Sequence, residues 1–187
     1  MTATTAVIRC YGIRPTSPRE AVERARQALR MGIRYQLANG GGGGRNPRAP
    51  TPAGPGGAVD CVGFTCWCSG FDRYQVDFEV GGYKGWVNTD SAILDADGPR
   101  VLFEPADLPR PGDWLVYGSH RENGKRVPGH VSLIVEVPAD WQPGELFGRL
   151  RVIDCSYSRG GVAERSGALW NARGRVLRYR HYVTTAS

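Results

Sequence analysis

The 187-residue chain has no run of 18 apolar residues, so no segment matches the length of a membrane-spanning helix. Histidines number three and cysteines five, and no two cysteines form a Cys-x-x-Cys pair. An odd thiol count in a chain this long argues against a disulfide framework, and a reducing site of synthesis fits it best. Residues 1–10 lack a basic stretch followed by an apolar one, so no secretory signal peptide is expected. The five glycines Gly40–Gly44 are not followed by the Gly-Lys-Ser/Thr ending of a phosphate-binding loop.

What is present begins with charge. A formal net charge of +6 suits an anionic polymer or a solvated basic surface. On a strand, Arg173 and Arg175 fall on one face and Arg178 and Arg180 on the other, so no basic stripe forms. No nucleic-acid motif accompanies the charge, and a specific nucleic-acid partner is not expected. With 41% hydrophobic residues the chain can bury one core, which predicts a single domain over 18–187 after a lead-in at 1–17.

Ser17-Pro18-Arg19-Glu20 reads as a capping box with proline at the first helical position. The periodic Ala21, Val22, Ala25, Ala28 and Leu29 that follow predict a helix over 18–31. Residues 39–58 are nearly all Gly, Pro, Ala, Arg and Asn, a long loop of the kind that often carries function. A short apolar helix is expected from Cys61 to about Ser69. Residues 71–105 read as irregular, with turns and a short helix at 91–96. Strands are expected at 114–117, 131–137, 149–156 and 176–183, with a polar hairpin loop at 120–129. Helices first and antiparallel strands after predict an α+β fold, with N-terminal helices packed on a small antiparallel sheet.

The chemistry centres on Val59-Asp60-Cys61-Val62-Gly63-Phe64. A cysteine where a loop becomes a helix meets unpaired backbone N–H groups and the positive end of the dipole, which favour an anionic sulfur and an oxyanion. Cysteine catalysis also needs a base and a group that orients the base. His120 lies in a polar loop and His181 near the C-terminus. His130, at the head of an apolar strand, is the candidate base. A strand antiparallel to it brings back Asp154 or a neighbour, and a carboxylate between Ile153 and Cys155 needs a partner. A zinc site from Cys61, Cys66 and Cys68 with Cys155 or His130 competes. However, Cys66-Trp67-Cys68 within one helix directs its thiols to different faces, so no metal is expected and Cys66, Cys68 and Cys155 read as buried apolar residues.

Asp60-Cys61-Val62-Gly63-Phe64, Pro111-Gly112-Asp113-Trp114-Leu115-Val116-Tyr117 and Gly129-His130-Val131-Ser132-Leu133-Ile134-Val135 resemble, in order and approximate spacing, the three signatures of the NlpC/P60 cysteine peptidases. Arg34-Tyr35-Gln36-Leu37 is similar to the tyrosine segment that precedes that family's catalytic helix. The resemblance spans roughly residues 18–156 and implies a papain-like fold that hydrolyses amide bonds in bacterial cell-wall peptides. It implies Cys61 as nucleophile, His130 as base and Asp154 as third member, with Tyr35, Asp60 and Gly129 toward substrate and no cofactor. Where the family commonly has serine after the nucleophile this chain has Val62, and Asp154 stands where the family usually has histidine. With no signal peptide expected, action at the cell wall implies synthesis in the cytoplasm and delivery by a phage or secretion system. Phage-tail or secretion-system components, or an immunity protein, would then be partners. Two other functions fit the same residues: a papain-like acyltransferase or amidase acting outside cell walls, and a non-enzymatic module that binds an anionic polymer.

Overall fold

A computed structural model of the chain describes residues 16–37, 57–74 and 79–183. The lead-in up to residue 15 and the glycine-rich stretch up to residue 56 lie outside the described residues.

Helix α1 (Pro18–Ala28) starts as its residues dictate. Ser17 Oγ accepts from the Glu20 N–H at 3.2 Å and Glu20 Oε2 accepts from the Ser17 N–H at 2.8 Å, which satisfies two otherwise unpaired groups. Ala21, Val22, Ala25 and Ala28 form its buried face. The helix expected to reach Met31 closes at Ala28. The N–H groups of Arg30 and Met31 bond three residues back, to Gln27 and Ala28, and Gly32 then takes φ +61°. The final turn is tightened and ended by a left-handed glycine.

Helix α2 (Cys61–Cys68) is buried at every position except Trp67. An eight-residue helix that is apolar on all sides can form only inside a core, and α2 packs against α1 and the central strands.

The strands are β1 (Arg34–Tyr35), β2 (Ala58–Val59), β3 (Glu79–Val80), β4 (Tyr83–Lys84), β5 (Phe103–Pro105), β6 (Trp114–Tyr117), β7 (His120–Glu122), β8 (Lys125–Val127), β9 (His130–Glu136), β10 (Arg151–Ser156), β11 (Gly161–Ser166) and β12 (Arg175–Tyr179). Eight of them form one sheet in the order β2-β1-β11-β10-β9-β6-β12-β5. Every pairing in it is antiparallel except β1 with β2, which is parallel.

This corrects the expected small antiparallel sheet. The added strands are short, or, like Gly161-Val162-Ala163-Glu164-Arg165-Ser166, weak in apolar alternation, so pairing rather than local pattern defines them. At the end of the expected 39–58 loop, Ala58–Val59 is extended because Arg34 and Gln36 donate to the carbonyls of Gly57 and Val59.

The region expected to be irregular, 71–105, holds the β3–β4 hairpin, helix α3 (Thr89–Asp97) and β5. Asn88 and Ser91 exchange cap hydrogen bonds at 2.8 and 2.9 Å. Asp95 accepts from the N–H groups of Val101, Leu102 and Phe103, each at 2.8 Å. Those bonds fold the chain from α3 into β5, and no apolar periodicity announces them. The expected hairpin loop at 120–129 is the β7–β8 ribbon, turned by Asn123 and Gly124 at φ +49° and +76°, the paired positive angles of a tight hairpin.

Alternate residues of the sheet enter two cores. Val131, Leu133, Val135, Ile153 and Cys155 face the helices. Leu115, Ile134, Val152 and Val176 meet Trp141, Leu150 and Trp170 on the other face.

Candidate active site

The end of β6, the start of β9 and the head of α2 converge on one point. Tyr117 pairs with His130 across β6 and β9. The backbone there is closely packed: a Cβ on Gly129 would stand 2.6 Å from the Tyr117 carbonyl oxygen. Gly129, expected toward substrate, thus lets the strand enter beneath Tyr117 so that His130 is presented at its head.

Cys61 opens α2 and is 7% exposed. Asp60, also expected toward substrate, turns both carboxylate oxygens inward. Oδ1 accepts from the Gly63 N–H at 2.8 Å, and Oδ2 pairs with Arg73, both side chains being buried. Arg73 in turn donates to the Val87 carbonyl at 3.2 Å. Asp60 is thus the N-cap of α2 and half of a buried ion pair, and it fixes the angle at which the helix presents Cys61.

His130 lies between the cysteine and the aspartate. Its Nε2 is 2.5 Å from Asp154 Oδ2, and the Cys61 sulfur lies close enough to the ring to raise its proton affinity. With Nε2 taken by Asp154, Nδ1 is the nitrogen that remains for sulfur. The side chain of Asp154 is 0% exposed and that of His130 is 12% exposed. Burial alone lowers the affinity of the imidazole for its proton, but the hydrogen bond to Asp154 and the nearby Cys61 sulfur outweigh burial and bring the His130 pKa up to about 9. The ring is therefore positively charged at neutral pH. The structure brings Cys61, His130 and Asp154 together.

Tyr35 is half-buried and lies near Cys61. Burial first, then the proximity of Cys61 and Asp60, raises its hydroxyl pKa. Its ring meets that of exposed Tyr157 edge-on, with centroids 6.1 Å apart. The remaining histidines lie outside the cluster: His120 Nδ1 is 3.4 Å from the Gly118 carbonyl, and His181 Nε2 is 2.7 Å from that of Val101. Cys66 and Cys68 are sealed in the core, where burial pushes both thiols well up. Cys155 is buried too, and its thiol donates to the Val59 carbonyl at 3.3 Å. Among the described residues, no group of three or more His, Cys, Asp or Glu side chains is placed to hold a metal.

Three neighbours of the cluster were not identified from sequence. Trp170 stacks on His130 with centroids 5.4 Å apart and planes inclined by 23°. Tyr117 flanks the same ring at 6.3 Å. Arg165 Nη2 stands 3.0 Å from Asp154 Oδ1. Trp170 lies in a short turn and Arg165 on a polar strand, so neither belongs to an apolar pattern. Tyr117 lies within a motif already quoted, and its place opposite His130 was the signal available. A cavity of about 450 Å³ lined by Pro18, Arg110, Asp113, Arg178 and Tyr182 opens at the far end of β6 and contains none of the three clustered residues.

No protein-family model and no curated protein matches the chain. Among solved structures, NlpC1 from Trichomonas vaginalis is similar, with 17% identity and a TM-score of 0.49 over 89% of this chain and 45% of that one. The chain thus spans less than half the length of that protein.

Proposed function

We propose that the protein is a cysteine amidohydrolase that cleaves peptide amides of the bacterial cell wall, with Cys61 as nucleophile, His130 as base and Asp154 as the residue that orients the base. The observation that carries this is the single imidazole that has the thiol of a helix head beside it and a buried carboxylate bonded to it. The three motifs and their order support the cell-wall peptide as substrate.

The sulfur attacks the amide carbonyl carbon, forming the S–C bond and an oxyanion. The Asp60 side chain and carbonyl take up the N–H groups of Gly63 and Phe64, which leaves those of Cys61 and Val62 in the first turn to face the oxyanion. The tetrahedral species collapses as the C–N bond breaks, and His130 passes its proton to the departing amine. Water then attacks the thioester, His130 accepts the water proton, and the acid product leaves as the S–C bond breaks, which returns the anionic sulfur beside the protonated ring. Asp154 keeps the ring in one orientation and stabilises its charge throughout. Tyr35 and Tyr117, both near Cys61, provide apolar walls with polar tips.

Mass spectrometry of soluble fragments from several peptidoglycans, beside a Cys61→Ala control, tests this. New amino termini within the stem peptide, absent from the control, are expected. Identical fragment profiles for both proteins on every wall would remove the cell-wall substrate.

A further inference from the structure

Asp154 is wholly buried, and one imidazole satisfies only one of its oxygens. On β11, Arg165 is opposite Val152 and Ala163 is opposite Asp154. Arg165 is therefore the diagonal neighbour of Asp154 on the same face of the sheet. Its side chain runs along the neighbouring strand. Nη2 donates to Ser156 Oγ at 2.5 Å and stands 3.0 Å from Asp154 Oδ1. The latter approach is a charge contact not aligned as a hydrogen bond, since Oδ1 has no hydrogen-bond partner among the described residues. Only 15% of the Arg165 side chain is exposed, so solvent screens this pair weakly.

We propose that Arg165 is a positioning residue that offsets the charge of Asp154 and keeps it aimed at His130 while His130 gains and loses its proton. This rests on Cys61 and His130 being nucleophile and base. The need arises from the reaction itself. When the ring gives its proton to the leaving amine, Asp154 becomes a buried carboxylate beside a neutral ring. Without a second cation the cheapest relief is for the ring to keep its proton beside the carboxylate, so His130 gives that proton up less readily. A guanidinium does not deprotonate, so it offsets the carboxylate whether or not the ring is protonated. Ser156 Oγ anchors the guanidinium so that it leans toward Oδ1 and leaves Oδ2 to the histidine. The other groups facing His130 are Cys61 on α2 and Tyr117 on β6. Arg173, after the turn at 167–170, acts on Tyr117 together with Arg165.

The test is the titration of His130, followed by NMR of its ring C–H in wild type, Arg165→Gln, Arg165→Lys and Ser156→Ala. In Arg165→Gln the carboxylate has only the histidine left as a cationic partner. The imidazolium is then retained longer, and the midpoint rises by about one pH unit. Arg165→Lys retains the charge and returns the midpoint close to wild type. Ser156→Ala frees the guanidinium and moves the midpoint in the same direction as Arg165→Gln by a smaller amount, a result that stands even if the glutamine variant does not fold. Midpoints equal to wild type in every folded variant would overturn the proposal. Because the titration needs no substrate, a wild-type protein that cleaves nothing refutes the hydrolase function separately.

Discussion

The two ends of β6 each bury a carboxylate, and they use it differently. At the start of the strand, Asp113 Oδ1 and Oδ2 accept from Arg178 at 3.1 and 2.8 Å, and Oδ2 also takes the Arg110 N–H at 2.9 Å. Every donor there is a guanidinium or a backbone N–H, and none changes charge near neutral pH. At the other end, Asp154 faces an imidazole that titrates, and its second oxygen has only the offset charge of Arg165. A fully satisfied carboxylate bonded to permanent donors is a fixture. Under the proposed function, a carboxylate whose main partner can lose a proton takes part in moving it. Burial alone does not separate the two; the protonation chemistry of the partners does.

The sharpest way to break this contrast is to remove one group at each end. Cys61→Ala abolishes hydrolysis outright, measured as fragment release from cell walls, and leaves the thermal melt near wild type because a small buried thiol is lost. Asp154→Asn lowers kcat by on the order of 10²–10⁴-fold while a protein with wild-type circular dichroism persists. Asp113→Asn does the reverse: it leaves kcat within a few-fold and costs roughly 1–3 kcal/mol in a urea melt, through weakened bonds to Arg178. Equal effects of the two substitutions on kcat would erase the distinction.

A second contrast lies in α2 and its cap. Asp60→Ala removes the N-cap and leaves Arg73 buried without its partner, so it destabilises by about 3–5 kcal/mol. Any loss of activity should track the unfolded fraction, because both Asp60 oxygens are engaged within the protein. A stable Asp60→Ala variant with a raised KM would instead place Asp60 on the substrate.

The pH dependence has a definite sign. Folding raises the His130 pKa from its ordinary value near 6.5 to about 9. The stabilisation from its charged form is therefore complete below about pH 6.5 and is lost as pH rises through 9. Urea melts of wild type and His130→Gln should differ most at about pH 6 and converge toward about pH 9.5. A gap that widens with rising pH would contradict a charged histidine in the native state. The smallest expected effect is that of Tyr35→Phe, which retains the apolar wall and removes one hydroxyl: a KM change of a few-fold with kcat nearly unchanged.

How much of this was legible in the sequence depends on the kind of force involved. Helix α2 and its cysteine were legible because a Gly/Pro-rich loop that gives way to an apolar run is a local signal. Asp154 was legible because an aspartate between Ile153 and Cys155 in an apolar strand needs a partner. Arg165 and Trp170 were not, because the interactions that place them are contacts across strands and turns that leave no period in the chain. The same holds for the sheet. β9 and β10 are apolar enough to be seen, whereas β11 exists because β10 and β1 pair with it on either side. Asp60 shows the opposite failure. Its place in a motif suggested contact with substrate, while its hydrogen bonds commit it to the helix and to Arg73.

Under the proposed function, the imidazole of His130 activates one thiol of the several in the chain. The most direct measurement is the rate of alkylation of each cysteine by iodoacetamide at mildly acidic pH, resolved by peptide mass spectrometry in wild type and His130→Ala. Cys61 should label first and faster than a free thiol, lose that advantage in the variant, and leave buried Cys66, Cys68 and Cys155 unlabelled in the folded protein. Slow labelling of Cys61, at the same rate with and without His130, would contradict the account.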